Sequence, residues 1–120
     1  MEYLNLYTIN KDKRGSFLGI TNKYTWGEIN FIETVKGVTR GNHYHKSTKE
    51  LFYILSGKIH ISIYDLITKK TLEFDALPNN IFIVNPYEVH TFETLENSTW
   101  LNMLSHKLDD LNSDIYRYSK

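Results

Sequence analysis

Apolar and polar residues alternate with a period of two over much of the chain. The clearest run is Lys58 to Tyr64, where Ile59, Ile61 and Ile63 fall on one face and His60, Ser62 and Tyr64 on the other. An apolar run, Glu50 to Leu55, precedes it, and Ser56-Gly57 between the two predicts a tight glycine turn joining two strands. Further strands are expected at Glu28–Val35, Thr39–His45, Thr71–Leu77, Ile81–Val84, His90–Glu93 and Thr99–Leu104. Turn signals punctuate them at Arg14-Gly15, Trp26-Gly27, Lys36-Gly37, Arg40-Gly41, Pro78-Asn79-Asn80, Asn85-Pro86 and Glu96-Asn97-Ser98. Both prolines fall between strands, where they leave the ladders intact. Short strands at this spacing predict an all-β sandwich or barrel, with room for a helix only in the last fifteen residues.

Composition narrows the picture. A chain of 120 residues makes one domain, 1–120. Nine Tyr and six Phe suit half-buried pleated surfaces, and Trp26 and Trp100 are expected in the core. Fourteen basic residues balance fourteen acidic ones, which argues against a nucleic-acid partner and against a polybasic membrane anchor. The absence of cysteine removes disulfides, thiolate metal sites and a thiol nucleophile. Neither a basic-then-apolar leader nor a run near the roughly 18 apolar residues of a membrane span is visible. A cytoplasmic protein with no membrane partner is therefore expected.

Two of the five histidines stand at His43 and His45, and Glu50 follows five residues later. Strand residues i and i+2 share a face, so these imidazoles sit side by side, about 7 Å apart at Cα. A bend through Lys46-Ser47-Thr48-Lys49 returns Glu50 beside them. His90, from a distant strand, completes a set of three imidazoles and one carboxylate, which suits a divalent first-row metal. His60 and His106, each alone, are expected to be packed or surface residues.

The spacing Gly37-x5-His43-x1-His45-x4-Glu50-x6-Gly57 resembles the first motif of the cupin superfamily. The second cupin motif keeps only its histidine, His90; Asn79, Asn85, Tyr87 and Thr94 occupy its other four positions. The resemblance implies a single jelly-roll-like β-barrel. The segment Gly37-Val38-Thr39-Arg40-Gly41-Asn42-His43-Tyr44-His45 is similar to enzymes that remodel nucleotide-linked keto-sugars. The nearest likeness is to the metal-binding C-terminal cupin domain of bifunctional capsular polysaccharide reductase/epimerases. It extends to Asp12-Lys13-Arg14-Gly15-Ser16-Phe17 and to the tail Asp109-Asp110-Leu111-Asn112-Ser113-Asp114-Ile115-Tyr116. The reductase domain of those enzymes has no counterpart in these residues.

The segment also resembles dTDP-4-keto-6-deoxyglucose 3,5-epimerases, where an Arg-Gly-Leu-His stretch matches Arg40 to His43 and the histidine is the base. Those enzymes carry Gln at the place of His45 and need no metal. It resembles dTDP-sugar 3,4-ketoisomerases too, with an Arg-Gly-x-His-x-His-Lys segment matched through Lys46, but typically Gln at the place of Glu50. Glu50 therefore favours a metal-bearing site.

These resemblances imply proton transfer next to the C4 ketone of a nucleotide-activated 4-keto-6-deoxy sugar, as C3 epimerisation or 3,4-ketoisomerisation. They imply His43, His45 and Arg40 as the catalytic set. His43, His45, Glu50 and His90 become ligands of a divalent ion (Zn, Mn, Fe or Ni), with a metal-free site as the alternative. If His43 ligates, the base lies elsewhere, with Tyr44, Tyr53 and Tyr87 as candidates. Arg40, with its planar fork, suits a substrate contact to diphosphate or carbonyl oxygens. A homodimer is implied as well. Two other functions compete: a non-catalytic metal- or sugar-binding cupin, and a cupin oxygenase using iron at the same residues.

Overall fold

The computed structural model describes residues 1–109, 111 and 113–119. Ten strands follow in order: β1 (Glu2–Leu4), β2 (Thr8–Asp12), β3 (Gly15–Gly19), β4 (Glu28–Thr34), β5 (Thr39–Tyr44), β6 (Glu50–Asp65), β7 (Thr71–Ala76), β8 (Ile81–Val84), β9 (Glu88–Leu104) and β10 (Tyr116–Arg117). Every pairing is antiparallel. The all-β expectation holds, and β4, β5, β7 and β8 match their predicted spans to within a residue. No helix occurs among the described residues, so the short C-terminal helix is absent there; Asp110 and Asn112 of the tail lie outside the described residues.

The predicted turn at Ser56-Gly57 is instead a bend inside one strand of 16 residues. The predicted His90–Glu93 and Thr99–Leu104 strands likewise merge into the 17-residue β9. The two long strands pair with each other from Glu50↔Leu104 to Asp65↔Glu88, and the register slips between Ile54 and Ile59. Gly57 explains why a turn residue sits mid-strand. Its φ is +91°, and a Cβ there would lie 2.1 Å from Ser98 Oγ and 2.4 Å from the Asn97 carbonyl oxygen. A bulge bends a strand and sharpens its twist, which is how a sandwich turns its corner.

The bend divides the β6–β9 ribbon between two layers. The first layer takes the leading half of β6, flanked by β8 and β1, and the trailing half of β9, flanked by β4. The second takes the trailing half of β6, flanked by β7, and the leading half of β9, flanked by β5 and then β10. The layers close on a shared core. Phe52 from the first meets Phe92 from the second with ring centroids 4.8 Å apart, although their registers place them far apart along the ribbon. Ile54, Ile59, Ile61, Ile63, Phe82, Val84 and Trp100 fill the remainder, each buried side chain contributing roughly 1.5–3 kcal/mol. Trp26 packs, partly buried, on a second cluster outside the first layer, formed by Leu51, Tyr53, Ile81 and Ile83. The strands β1, β2, β3 and β10 were not expected from the pattern. They are short or exposed, and β2–β3 is a separate hairpin around Lys13-Arg14 held by the Asp12–Arg14 ion pair.

Candidate metal centre

The bend brings the two ends of the ribbon together. Glu50 pairs with Leu104 at one end and His90 with Ile63 at the other, yet His90 Nε2 lies 3.2 Å from Glu50 Oε1. β5 adds the other two imidazoles. Its ladder with β9 is interrupted between Gly41 and His43, where Gly41 (φ +104°) and Asn42 (φ +58°) form a bulge. A Cβ on residue 41 would stand 2.4 Å from the His90 carbonyl oxygen, so only glycine lets β5 approach β9 this closely. Asn tolerates the left-handed conformation that follows. His43 then falls opposite His90, with their Nε2 atoms 3.1 Å apart. His45, just past the end of β5, places its Nε2 3.0 Å from Glu50 Oε1. One donor atom from each of His43, His45, Glu50 and His90 lies within 4.8 Å of all the others. His45, Glu50 and His90 are buried and His43 is half-buried.

The other ring nitrogens are occupied by the backbone. His45 Nδ1 donates to the Asp114 carbonyl at 2.7 Å, and His90 Nδ1 to the Glu88 carbonyl at 3.1 Å. The Gly41 carbonyl holds His43 in the same way. Tying one ring nitrogen to an acceptor fixes the tautomer and aims the other nitrogen, as metal-ligating histidines require. Burial, then the neighbouring His90, pushes the His43 pKa down to about 4, so its imidazole is neutral at pH 7. Burial alone would raise Glu50, but hydrogen bonds from His45 and His90 outweigh it and hold the carboxylate at about 2. Burial likewise opposes charge on His45, and the hydrogen bond and charge of Glu50 override it, leaving that pKa raised.

The remaining candidates lie outside the cluster. Arg40 stands opposite Phe92, on the interior face of β5, and is exposed at its rim. Tyr53 points to the outer side of the first layer and donates to Asn79 Oδ1 at 2.7 Å, away from the four donors. Tyr44 alternates with His43 and His45. It stacks between Tyr87 and Tyr116, at 6.3 and 5.6 Å, and Lys46 Nζ lies 4.2 Å above the Tyr116 ring. A groove of about 600 Å³ opens beside this stack, lined by Lys46, Tyr87, His106, Lys107 and Tyr116 among others. His60 sits on the surface between Asp75 and Glu73, consistent with its expected minor role.

Sequence reasoning missed the residues that hold the cluster in place. Asp114 lends its carbonyl to His45, while its carboxylate accepts from Lys46 N, Ser47 N and Thr48 Oγ1, pinning the loop between β5 and β6. Asn102 donates to Glu50 Oε2. Its signal was a lone amide inside the apolar run Trp100-Leu101-Asn102-Met103-Leu104.

Three imidazoles and one carboxylate, converging, with His43 neutral and Glu50 ionised, are a donor set for a divalent first-row ion. The chemistry of the cluster thus fits a metal without fixing which one.

Comparison with known proteins agrees with this architecture. A family model described as the polysaccharide biosynthesis C-terminal domain matches residues 10–108. A curated relative, UDP-2-acetamido-2,6-beta-L-arabino-hexul-4-ose reductase of Pseudomonas aeruginosa, is 32% identical over 60 residues, 50% of this chain and 16% of that protein. The capsular polysaccharide assembling protein CapF of Staphylococcus aureus superposes with a TM-score of 0.70 at 23% identity, covering 94% of this chain and 34% of CapF. A dTDP-4-dehydrorhamnose 3,5-epimerase of Bacillus anthracis, solved with TDP and PPi bound, gives 0.78 at 18% identity, over 92% of this chain and 74% of that one. QdtA, a sugar 3,4-ketoisomerase of Thermoanaerobacterium thermosaccharolyticum solved with TDP, gives 0.76 at 18% identity, over 95% and 85%. The chain therefore spans about one sixth of the curated relative and about a third of CapF.

Proposed function

The chain belongs to the polysaccharide biosynthesis C-terminal domain family, and from that premise we propose that it moves a proton next to the C4 ketone of a nucleotide-activated 4-keto-6-deoxy sugar. The outcome is C3 epimerisation or 3,4-ketoisomerisation in cell-surface polysaccharide synthesis. The observation that carries the reading is the four-donor cluster inside the barrel, three donors buried and His43 reachable from its edge. The proteins solved with TDP that share the fold add support.

His43, His45, Glu50 and His90 are assigned as metal ligands. A divalent ion held there would supply Lewis-acid polarisation of a ketone oxygen, worth several kcal/mol in such sites. The C3–H bond breaks as a base takes the proton, and its electron pair delocalises onto the C4 oxygen as an enolate. Return of the proton to the opposite face of C3 gives the epimer; delivery of a proton to C4, with the C3 hydroxyl proton passing to the C4 oxygen as the C3 carbonyl forms, gives the ketoisomer. A ligating nitrogen has no lone pair left for this proton. With His43 engaged as a ligand, the base comes from another group at the rim; Tyr53, which faces outward and donates to Asn79, is set aside, leaving Tyr44 and Tyr87 as the candidates. In a metal-free site, neutral His43 is itself competent as the base. Arg40, exposed on the interior face of β5, is assigned to substrate oxygens, and the tyrosine stack with Lys46 offers aromatic and cationic surface to a nucleoside diphosphate.

The test is incubation with dTDP- and UDP-linked 4-keto-6-deoxy sugars in deuterium oxide, with the C3 and C5 protons followed by NMR. Exchange at C3 with a new epimer or ketoisomer is expected. Absence of exchange with every such sugar overturns the reading; in that event oxygen consumption with another substrate marks an oxygenase, and ligand binding without turnover marks a non-catalytic cupin. We further assign the chain to the cytoplasm, where nucleotide-activated sugars are made; among the described residues no helix is long and apolar enough to cross a membrane.

A homodimer forms part of the same reading. On the outer side of the first layer, two apolar rows, Ile83–Leu51–Met103–Ile29 and Ile81–Tyr53–Leu101–Phe31, run from buried positions to exposed ones on β4. Ile29 is 62% and Phe31 59% exposed, and the β2–β3 hairpin leaves Ile9 and Phe17 uncovered. A second copy covering these groups predicts a dimer in sedimentation equilibrium; a monomer at micromolar concentration contradicts it.

A further inference from the structure

The first half of strand β4 carries its polar residues inward. Ile29 and Phe31 face solvent, while Glu28 and Asn30 sit in the interior rows Glu50–Leu104–Glu28 and Phe52–Asn102–Asn30. These side chains form one hydrogen-bonded line across three strands. Asn30 Nδ2 donates to Glu28 Oε2 and to Asn102 Oδ1, both at 2.9 Å. Asn102, 4% exposed, turns its own amide nitrogen to Glu50 Oε2. Glu28 Oε1 accepts the Leu108 amide at 3.1 Å, anchoring the far end.

The line has a fixed direction. A carboxylate only accepts, so Glu28 draws the NH₂ group of Asn30 towards itself. That NH₂ also reaches Asn102, so Asn102 presents its oxygen to Asn30 and its nitrogen to Glu50. Glu50 Oε2 is thereby held by a donor, and Oε1 is the oxygen turned to His45 and His90, where an ion would sit.

We propose that Asn102 is a positioning residue for the metal centre: it holds Glu50 so that the carboxylate ligates through Oε1 alone, and Asn30 and Glu28 fix the orientation of its amide. The inference rests on metal binding at the four-donor cluster and is independent of the sugar. Partners that orient ligating groups typically govern 10–100-fold of metal affinity. The histidines take this support from backbone carbonyls, which no substitution removes. The carboxylate takes it from side chains, so its support can be tested directly.

The experiment is competitive titration of the metal-free protein with Zn²⁺ against a chromophoric chelator, alongside the absorption spectrum of the Co²⁺ form. Asn102→Leu, close in volume but without the amide, is expected to bind Zn²⁺ roughly 10–100-fold more weakly. Its Co²⁺ bands are expected to lose intensity as Oε2 becomes free to ligate and the coordination number rises. Asn30→Ala leaves Asn102 in place but free to flip, and is expected to lose about threefold to tenfold. It serves as the readout if Asn102→Leu does not fold. Zn²⁺ affinities within twofold of the unaltered protein for the variants that fold, with an unchanged Co²⁺ spectrum, overturn the inference while leaving the metal centre standing. Failure of the unaltered protein to bind Zn²⁺ or Co²⁺ overturns the centre and the inference together.

Discussion

The first layer presents one carboxylate to the cluster, Glu50, steadied by a line of polar side chains, whereas the second layer and the loop leaving it present three imidazoles steadied by peptide carbonyls. Both share the aromatic floor of Phe52, Phe82, Phe92 and Trp100. The cluster is thus a seam between two sheets, closed by the bend at Gly57. One layer supplies the imidazoles and the other the carboxylate, so ligation by all four donors is coupled to the packing of one layer on the other. An ion that binds only the folded, two-layer state stabilises it by mass action.

Four substitutions or conditions separate the floor, the bend and the seam, in falling order of effect. Phe52→Ala removes the ring that joins the layers beneath the cluster, and is expected to cost about 3–5 kcal/mol in urea denaturation. A loss under 1 kcal/mol would show that the two layers do not depend on that contact. Gly57→Ala strikes the bend: the new methyl meets the Asn97 backbone in a conformation that L-residues avoid, at a cost of about 3 kcal/mol. Wild-type stability in that variant would mean the ribbon is not folded as described. Glu50→Gln leaves both layers packed but removes the one anionic donor; metal content after dialysis is expected to fall with an affinity loss above about 100-fold. Retention of a full equivalent of metal would remove Glu50 from the ligand set.

The smallest effect is in pH. In the metal-free protein His43 is depressed from 6.5 to about 4 and Glu50 from 4.5 to about 2. The unfolded chain therefore takes up these protons first, and stability falls as the solution is acidified, between pH 6.5 and 4 for His43 and between 4.5 and 2 for Glu50. His45, raised by Glu50, acts oppositely: its contribution is present at low pH and is lost as pH rises through its folded-state pKa. Urea midpoints measured across this range are expected to drop with acid, and Glu50→Gln to flatten the lower part of the curve. A midpoint that is level from pH 6.5 to 3 contradicts the assigned protonation states.

The convergence of the four donors was legible in the sequence because its signal is local: His43, His45 and Glu50 lie within eight residues, from the end of β5 to the first residue of β6. His90 was readable as a distant fourth. Strand spans were legible where alternation was uninterrupted, as in β7, or where a short apolar run was bounded by turn residues, as in β8. What escaped was set by contacts far apart in the chain. Ser56-Gly57 carries the same residues as a hairpin turn, and only the continuous pairing with β9 makes it a bend. In β4 the strand was visible but not which side faces inward, because Glu28 and Asn30 belong to an interior polar line that only β9 and β6 complete. Asp114 holds His45 through its carbonyl, which no residue type announces.

X-ray absorption at the metal edge of the loaded protein tests the two-sheet centre most directly. The account predicts one ion per chain, surrounded by three imidazole nitrogens and a carboxylate oxygen, with one imidazole shell lost in His90→Ala and the oxygen lost in Glu50→Gln. Substoichiometric metal, or a spectrum unchanged by both substitutions, would contradict it.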